Sequence, residues 1–257
     1  MRSVEAHKIF RMGKNISPCT MNSELKVMSC ILKFGVENKY IEEMPKIRRV
    51  KVPKKTPRFL SGEEIGKVLA AARPDVRPML QLLMFSGIRK GELRHLEWDD
   101  VDFGNRLLHV RPKATWRPKT ANSVRTIPLC EPAMGALRMA RERAEKRRVK
   151  SSLVFPGRNG PLADIRDSLK GACERAGVPH ICIHGLRHTF GSQMGMAGAD
   201  PFAIMKALGH SDPQMTMHYV SLGKSHIREQ VEKLNAIHLL PSSDPRLKAL
   251  PASACGN

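Results

Sequence analysis

Aromatic side chains are scarce in this 257-residue chain, 5% in all, and only two of them are tyrosines, Tyr40 and Tyr219. Any chemistry that needs a phenol must draw on one of those two. Long apolar runs are absent as well: none approaches the roughly 20 residues of a membrane-spanning helix. The residues after Met1 and Arg2 are mixed polar, without the apolar core of a secretory signal. The six cysteines, at 19, 30, 130, 173, 182 and 255, form no C-x-x-C pair. That spacing excludes a simple zinc finger or disulfide framework and predicts reduced, mostly buried thiols in a cytoplasmic protein.

Acids are missing where bases are dense. The stretch KIRRVKVPKKTPR (46–58) has seven basic residues in thirteen and no acid, and RPKATWRPKTANSVR (111–125) has five and none. Over the whole chain, 44 Lys and Arg against 24 Asp and Glu give a net charge of +20. Such an excess favours a polyanion, because each neutralised phosphate releases condensed counterions. Arg48, Arg49, Lys51, Lys54 and Lys55 in the first stretch, and Arg117 and Arg125 in the second, are the candidate contacts. No amphipathic stretch with large aromatics accompanies them, so a membrane surface is not the expected partner.

The pattern predicts a mainly α chain with a small antiparallel β-sheet (α+β). Leu25, Met28, Ile31 and Leu32 recur at helical spacing over 20–40, with Thr20 placed to cap the start. Pro45, Pro53 and Pro57 then argue for an extended basic linker over 46–58. Ser61 and Glu64 form a capping box for a helix at 62–72, and a second apolar helix, 78–85, stops at Ser86-Gly87. A Gly-Asn turn and the β-branched run SVRTIPL place the sheet across 101–129. Helices are expected again at 131–150, 163–176, 184–197, 201–208, 213–221 and 223–239, and a flexible tail at 241–257. Asp200-Pro201 and Asp212-Pro213 each offer an N-cap followed by a first-turn proline.

Three short patterns carry the chemistry: SGIRKGEL with Arg89 and Glu92, HGLRHTF with His184 and Arg187, and LGHSDPQMTMHYV with His210 and Tyr219. Singly, each has an ordinary explanation. An Arg-Glu pair one turn apart is commonly a solvated ion pair. A lone tyrosine is commonly a packed ring. His184 and His188 at i and i+4 suggest zinc, but Gly185 stands where a metalloprotease has its glutamate, and no third ligand is apparent, so no metal is expected. His188, His218 and Tyr40 read as packing or surface groups, and Trp98 as a core residue. Trp116 is left open between DNA contact and loop cover, and the basic helix 138–150 between phosphate contact and solvated face.

Together, Arg89, Lys119 in RPKTANSVRTIPL, His184, Arg187, His210 and Tyr219 resemble, in order and spacing, the active-site set of the tyrosine recombinases, the phage integrase family. The resemblance runs from residue 58 to about 238. It implies a DNA strand transferase that works through a covalent 3′-phosphotyrosyl intermediate on double-stranded DNA, without cofactor, near the nucleoid, as a homotetramer on DNA and a monomer when free. In that scheme Arg89 and Arg187 stabilise charge on the phosphate and His210 hydrogen-bonds it. His184 assists proton transfer from Tyr219, Lys119 protonates the leaving oxygen, and Glu92 supports Arg89.

The segment 1–45 is similar to the end of the family's helical core-binding domain, which makes 59–240 the expected catalytic domain. The short start motivates an alternative, a catalytically idle DNA-binding remnant. The histidine pair motivates another, a metal-dependent nuclease.

Overall fold

The computed structural model describes residues 2–53, 57–118, 123–157, 160–162 and 164–220. The chain divides into two compact units, Met1–Thr56 and Pro57–Asn257.

The first unit holds α1 (Arg2–Met12) and α2 (Pro18–Glu37). Ser17, not Thr20, caps α2, its hydroxyl accepting from the Thr20 amide at 3.1 Å. Proline at the first helical position suits that start, since its missing N–H would have had no helical partner. Val4, Met21 and Leu25 form a small core against which Ile16, Met28, Ile47 and Val50 pack. Beyond Met28 the expected apolar stripe loses cover: Ile31 is 65% exposed. The start of the basic stretch is tied down rather than freely extended. The Asn22 side chain donates to the Val50 carbonyl at 2.9 Å and accepts from the Val50 amide at 2.8 Å. Arg48, Arg49 and Lys51 remain exposed, while Lys54 and Lys55 lie outside the described residues.

In the second unit, α3 (Gly62–Ala71) begins with the expected capping box between Ser61 and Glu64. After it come α4 (Arg77–Ser86), the short α5 (Lys90–Arg94) and a single 3-10 turn at Trp98–Asp100. β1 (Val101–Asp102), β2 (Leu107–Val110) and β3 (Arg125–Pro128) make one antiparallel sheet in the order β1-β2-β3, with Leu108 opposite Ile127. Burial alternates along β2, as a half-covered strand requires. Then follow α6 (Glu131–Lys146), the hairpin β4 (Pro156–Gly157) and β5 (Gly160–Pro161), α7 (Arg166–Arg175), α8 (Ile183–Met196), α9 (Pro201–Leu208) and α10 (Gln214–Val220). The expected helix at 223–239 and tail at 241–257 fall outside the described residues.

α4 is the central element, packed against both α6 and α8. Its Leu80, Leu82 and Leu83 are buried together with Leu108, Ile127, Leu137 and Leu186. Each such side chain contributes about 1.5–3 kcal/mol on leaving water. Trp98 packs against this core and stacks on Phe103, centroids 6.5 Å apart. A separate cluster of Ile204, Leu208 and Tyr219, with Phe190 and Met194, joins α8, α9 and α10. The basic helix α6 keeps an exposed charged face, where Arg138 pairs with Glu131 and Arg141 with Glu145. The thiol expectation needs correction. Of the five described cysteines only Cys173 is buried, because Cys130 and Cys182 are exposed helix caps and Cys19 and Cys30 lie on the open side of α2.

Gly87 ends α4 in the left-handed region at φ 65° and directs the chain to Arg89. A β-carbon there would overlap the Phe190 ring and stand 2.8 Å from Leu208 Cδ2. Gly87→Ala should therefore lose at least about 2 kcal/mol from strain and overpacking together, read as a lowered unfolding midpoint in urea.

Candidate active site

Sequence-distant arginines meet at the end of α9. Arg89 is the N-cap of α5, and Arg187 lies on the inner face of α8, 3% exposed. Arg125 opens β3. The last carbonyls of a helix have no partner within it and carry the negative end of its dipole. Here three consecutive carbonyls are satisfied by three different guanidiniums. Arg125 Nε donates to Ala207 O at 2.8 Å, Arg187 Nη2 to Leu208 O, and Arg89 Nη2 to Gly209 O at 3.0 Å. Arg187 Nη1 also donates to Gly87 O at 2.7 Å, which joins the ends of α4 and α9.

Glu92 is the counter-charge. Its side chain is 4% exposed, and both its oxygens accept from Arg125, at 3.0 and 2.8 Å. It also accepts from the Arg89 amide at 2.8 Å and from Arg89 Nη1 at 2.9 Å. Burial alone raises the carboxyl, but the hydrogen bonds and charge of Arg125, with those of Arg89, outweigh it and hold the pKa below the ordinary 4.5. Arg125 was expected to face DNA. Its side chain is instead 4% exposed and committed to Glu92, since a buried carboxylate needs a bidentate partner more than the surface needs one more charge. Arg117 is exposed, and Lys119 lies outside the described residues.

Three guanidiniums against one carboxylate leave a local positive excess. Burial first, then Arg89, push Arg187 down to about 9, so it stays protonated at neutral pH but costs free energy to keep so. His184, at the start of α8 and exposed, is lowered by partial desolvation and by the charges of Arg187 and Arg89.

Tyr219 lies against α8, only 1% exposed. The groove that takes it is made by Gly191 and Gly195. A β-carbon at Gly191 would stand 2.7 Å from the ring, and one at Gly195 would overlap the Tyr219 carbonyl. His210, 8% exposed, stacks on the ring at 6.4 Å and 17° while its Nδ1 bonds Thr216 Oγ1 at 2.9 Å. The phenol oxygen lies 2.7 Å from His188 Nδ1, and the His188 ring meets His184 edge-on at 4.7 Å. Burial pushes the phenol up to about 12, with Arg187 pulling the other way. His188, read from the sequence as a packing or surface group, is half-buried and hydrogen-bonded to the Tyr219 phenol. Its spacing from His184, one turn along α8, was the available signal.

Other residues take ordinary places. Tyr40 is 77% exposed, and the His218 side chain is outside those described. Trp116 covers the loop, stacking on His95 at 5.4 Å. Ser123, unmarked by any motif, is buried and accepts from Arg89 Nη1 at 3.2 Å. Among the described residues no cluster of His, Cys, Asp or Glu could hold a metal ion, and no helix is long and apolar enough to cross a membrane.

This architecture is the fold of tyrosine recombinase catalytic domains. The transposon Tn1549 integrase, solved in complex with a circular intermediate DNA, superposes with a TM-score of 0.73 at 21% identity, covering 90% of this chain and 84% of that one. A crystal structure of XerA recombinase gives 0.56 at 23% identity, covering 90% and 81%. The Phage integrase family profile matches residues 58–226, and the chain belongs to that family. Tyrosine recombinase XerA of Thermococcus onnurineus is 32% identical over 210 residues, 77% of this chain and 70% of the relative. Prophage integrase IntR of Escherichia coli K12 is 25% identical over 249 residues. IntQ of the same strain, whose name marks it as a defective protein, is 29% identical over 233 residues. This chain matches 77% and 84% of its own length to IntQ and IntR but spans only 58% and 61% of theirs.

Glu92→Gln should destabilise the fold by about 3–5 kcal/mol at neutral pH, because Arg125 keeps its charge in a buried place. The sign of the pH dependence follows from the depressed carboxyl. Its stabilisation is complete above 4.5 and fades as pH falls through the lower folded value. The difference in unfolding free energy between wild type and variant should therefore shrink on acidification below that point, measured by urea titration across pH.

Proposed function

We propose that this chain is a site-specific DNA recombinase that cuts and rejoins strands through a phosphotyrosyl intermediate. The observation that carries the reading is the convergence of Arg89 and Arg187 on the turn that leads to His210 and Tyr219. Transesterification puts extra negative charge on a five-coordinate phosphorus. A positive excess already held in place stabilises that charge without reorganisation, at roughly 3–4 kcal/mol per well-placed donor.

In this reading the scissile phosphate takes the N–H groups of Arg187 and Arg89 that point away from the anchoring carbonyls. His210 supplies a further hydrogen bond to it. Tyr219 Oη attacks the phosphorus, and the 5′ oxygen departs with a proton from Lys119. The ester bond energy is kept in the tyrosyl link, so resealing needs neither ATP nor metal. Glu92 and Arg125 hold Arg89 in register. Because Tyr219 is buried against Gly191 and Gly195, engagement of DNA has to open access to its oxygen while α10 stays on α8. The candidate catalytic residues all belong to the unit that begins at Pro57, and the start of the basic stretch belongs to the helical unit before it.

The relatives solved with DNA support a duplex partner, with Arg48, Arg49, Lys51, Lys54, Lys55 and Arg117 on its phosphates. The net charge of +20 supports the same choice. Exchange of two duplexes needs four cuts, hence a homotetramer on DNA, acting where the chromosome is, in the cytoplasm. IntQ shows that a relative can bear a defective name, which keeps the idle DNA-binding remnant as the second reading.

The test is incubation with nicked duplexes taken from the DNA that flanks its gene, followed by denaturing electrophoresis. Wild type should form a covalent adduct that persists in EDTA, and Tyr219→Phe none. Arg89→Ala should slow adduct formation by about 10²–10³. Salt-sensitive binding by wild type without any adduct would instead establish the idle remnant.

A further inference from the structure

One interaction at the site has no place in the scheme so far. His188 Nδ1, not His184, stands 2.7 Å from the atom that would attack phosphorus, while the His184 ring meets the His188 ring edge-on at 4.7 Å. We propose that His188 is a further catalytic residue, the acceptor that removes the Tyr219 proton as the phosphotyrosyl bond forms and returns it when that bond is resealed. The inference rests on the strand-transfer reading and deepens it.

Three observations carry it. The contact is short and joins α8 to α10, 31 residues apart. It is also held from both sides. Gly191 and Gly195 fix the depth of the tyrosine, and His210 lies stacked over its ring. Finally, the phenol needs help. It is buried and harder to ionise than a free tyrosine, so a base must take the proton during attack rather than before it. Arg187, one residue before His188, and Arg89 keep the surroundings positive.

The step balances. The Tyr219 Oη–P bond forms as the P–O5′ bond breaks, and the Oη proton passes to the Nδ1 lone pair to give an imidazolium. The leaving 5′ oxygen takes its proton from the general acid of the scheme, Lys119. On resealing, the 5′ hydroxyl attacks, the phenolate departs, and the imidazolium protonates it.

The test compares wild type, His188→Ala and His188→Asn in single-turnover adduct formation on the nicked duplex, with DNA binding and thermal unfolding measured in parallel. Asparagine offers an oxygen near the position of Nδ1, so it keeps the hydrogen bond but cannot take the proton. Both variants should bind DNA as wild type does and form adduct about 10²–10⁴ times more slowly. Added imidazole should restore part of the rate to His188→Ala, which a merely structural role would not allow. Asparagine at wild-type rate, or an alanine variant that folds and binds but ignores imidazole, overturns the role of His188 while the strand-transfer reading stands. A wild type that binds the duplex and yields no adduct overturns both.

Discussion

Everything at the site depends on how the end of α9 is held. Its last carbonyls, at Ala207, Leu208 and Gly209, each accept from a different arginine, and those arginines come from β3, α8 and α5. Left unpaired in the interior, each carbonyl would cost about 1–3 kcal/mol. Paired, they draw three elements onto one turn and fix the direction in which the chain leaves toward His210 and α10. Glu92 completes the arrangement by neutralising one of the three charges. The two that remain are what an anion would meet.

The geometry also explains why the tyrosine can be both central and hidden. Tyr219 is among the largest fully buried side chains, and it fills a groove that exists only because α8 has glycine at 191 and 195. A buried phenol is protected from chance reaction and is harder to ionise than an exposed one. The same packing that suppresses it places its oxygen against His188.

Much of this was readable in the sequence, and the part that was not has physical causes. Arg89, Arg187, His210 and Tyr219 were singled out because their motifs together resemble the tyrosine recombinase set, and the helices follow from periodicity and caps such as Ser61 with Glu64. Arg125 was misread because the basic stretch gives no hint of its partner, a carboxylate 33 residues earlier that needs it more than solvent does. His188 was passed over because one histidine a turn from another has several ordinary meanings, and its tyrosine partner is set by how α10 lies on α8. In the first unit the apolar stripe of α2 predicted burial as far as Ile31, but periodicity says which face is apolar and not how much of it finds cover.

The central claim is that these guanidiniums act by opposing charge that builds on the phosphate. It is tested most directly by replacing the scissile phosphodiester with a neutral methylphosphonate and comparing adduct formation by wild type and Arg89→Ala. The account predicts that the large defect of the variant on the natural linkage shrinks to near parity on the neutral one. An equally large defect on both substrates would contradict it, because the arginine would then be needed for something other than charge.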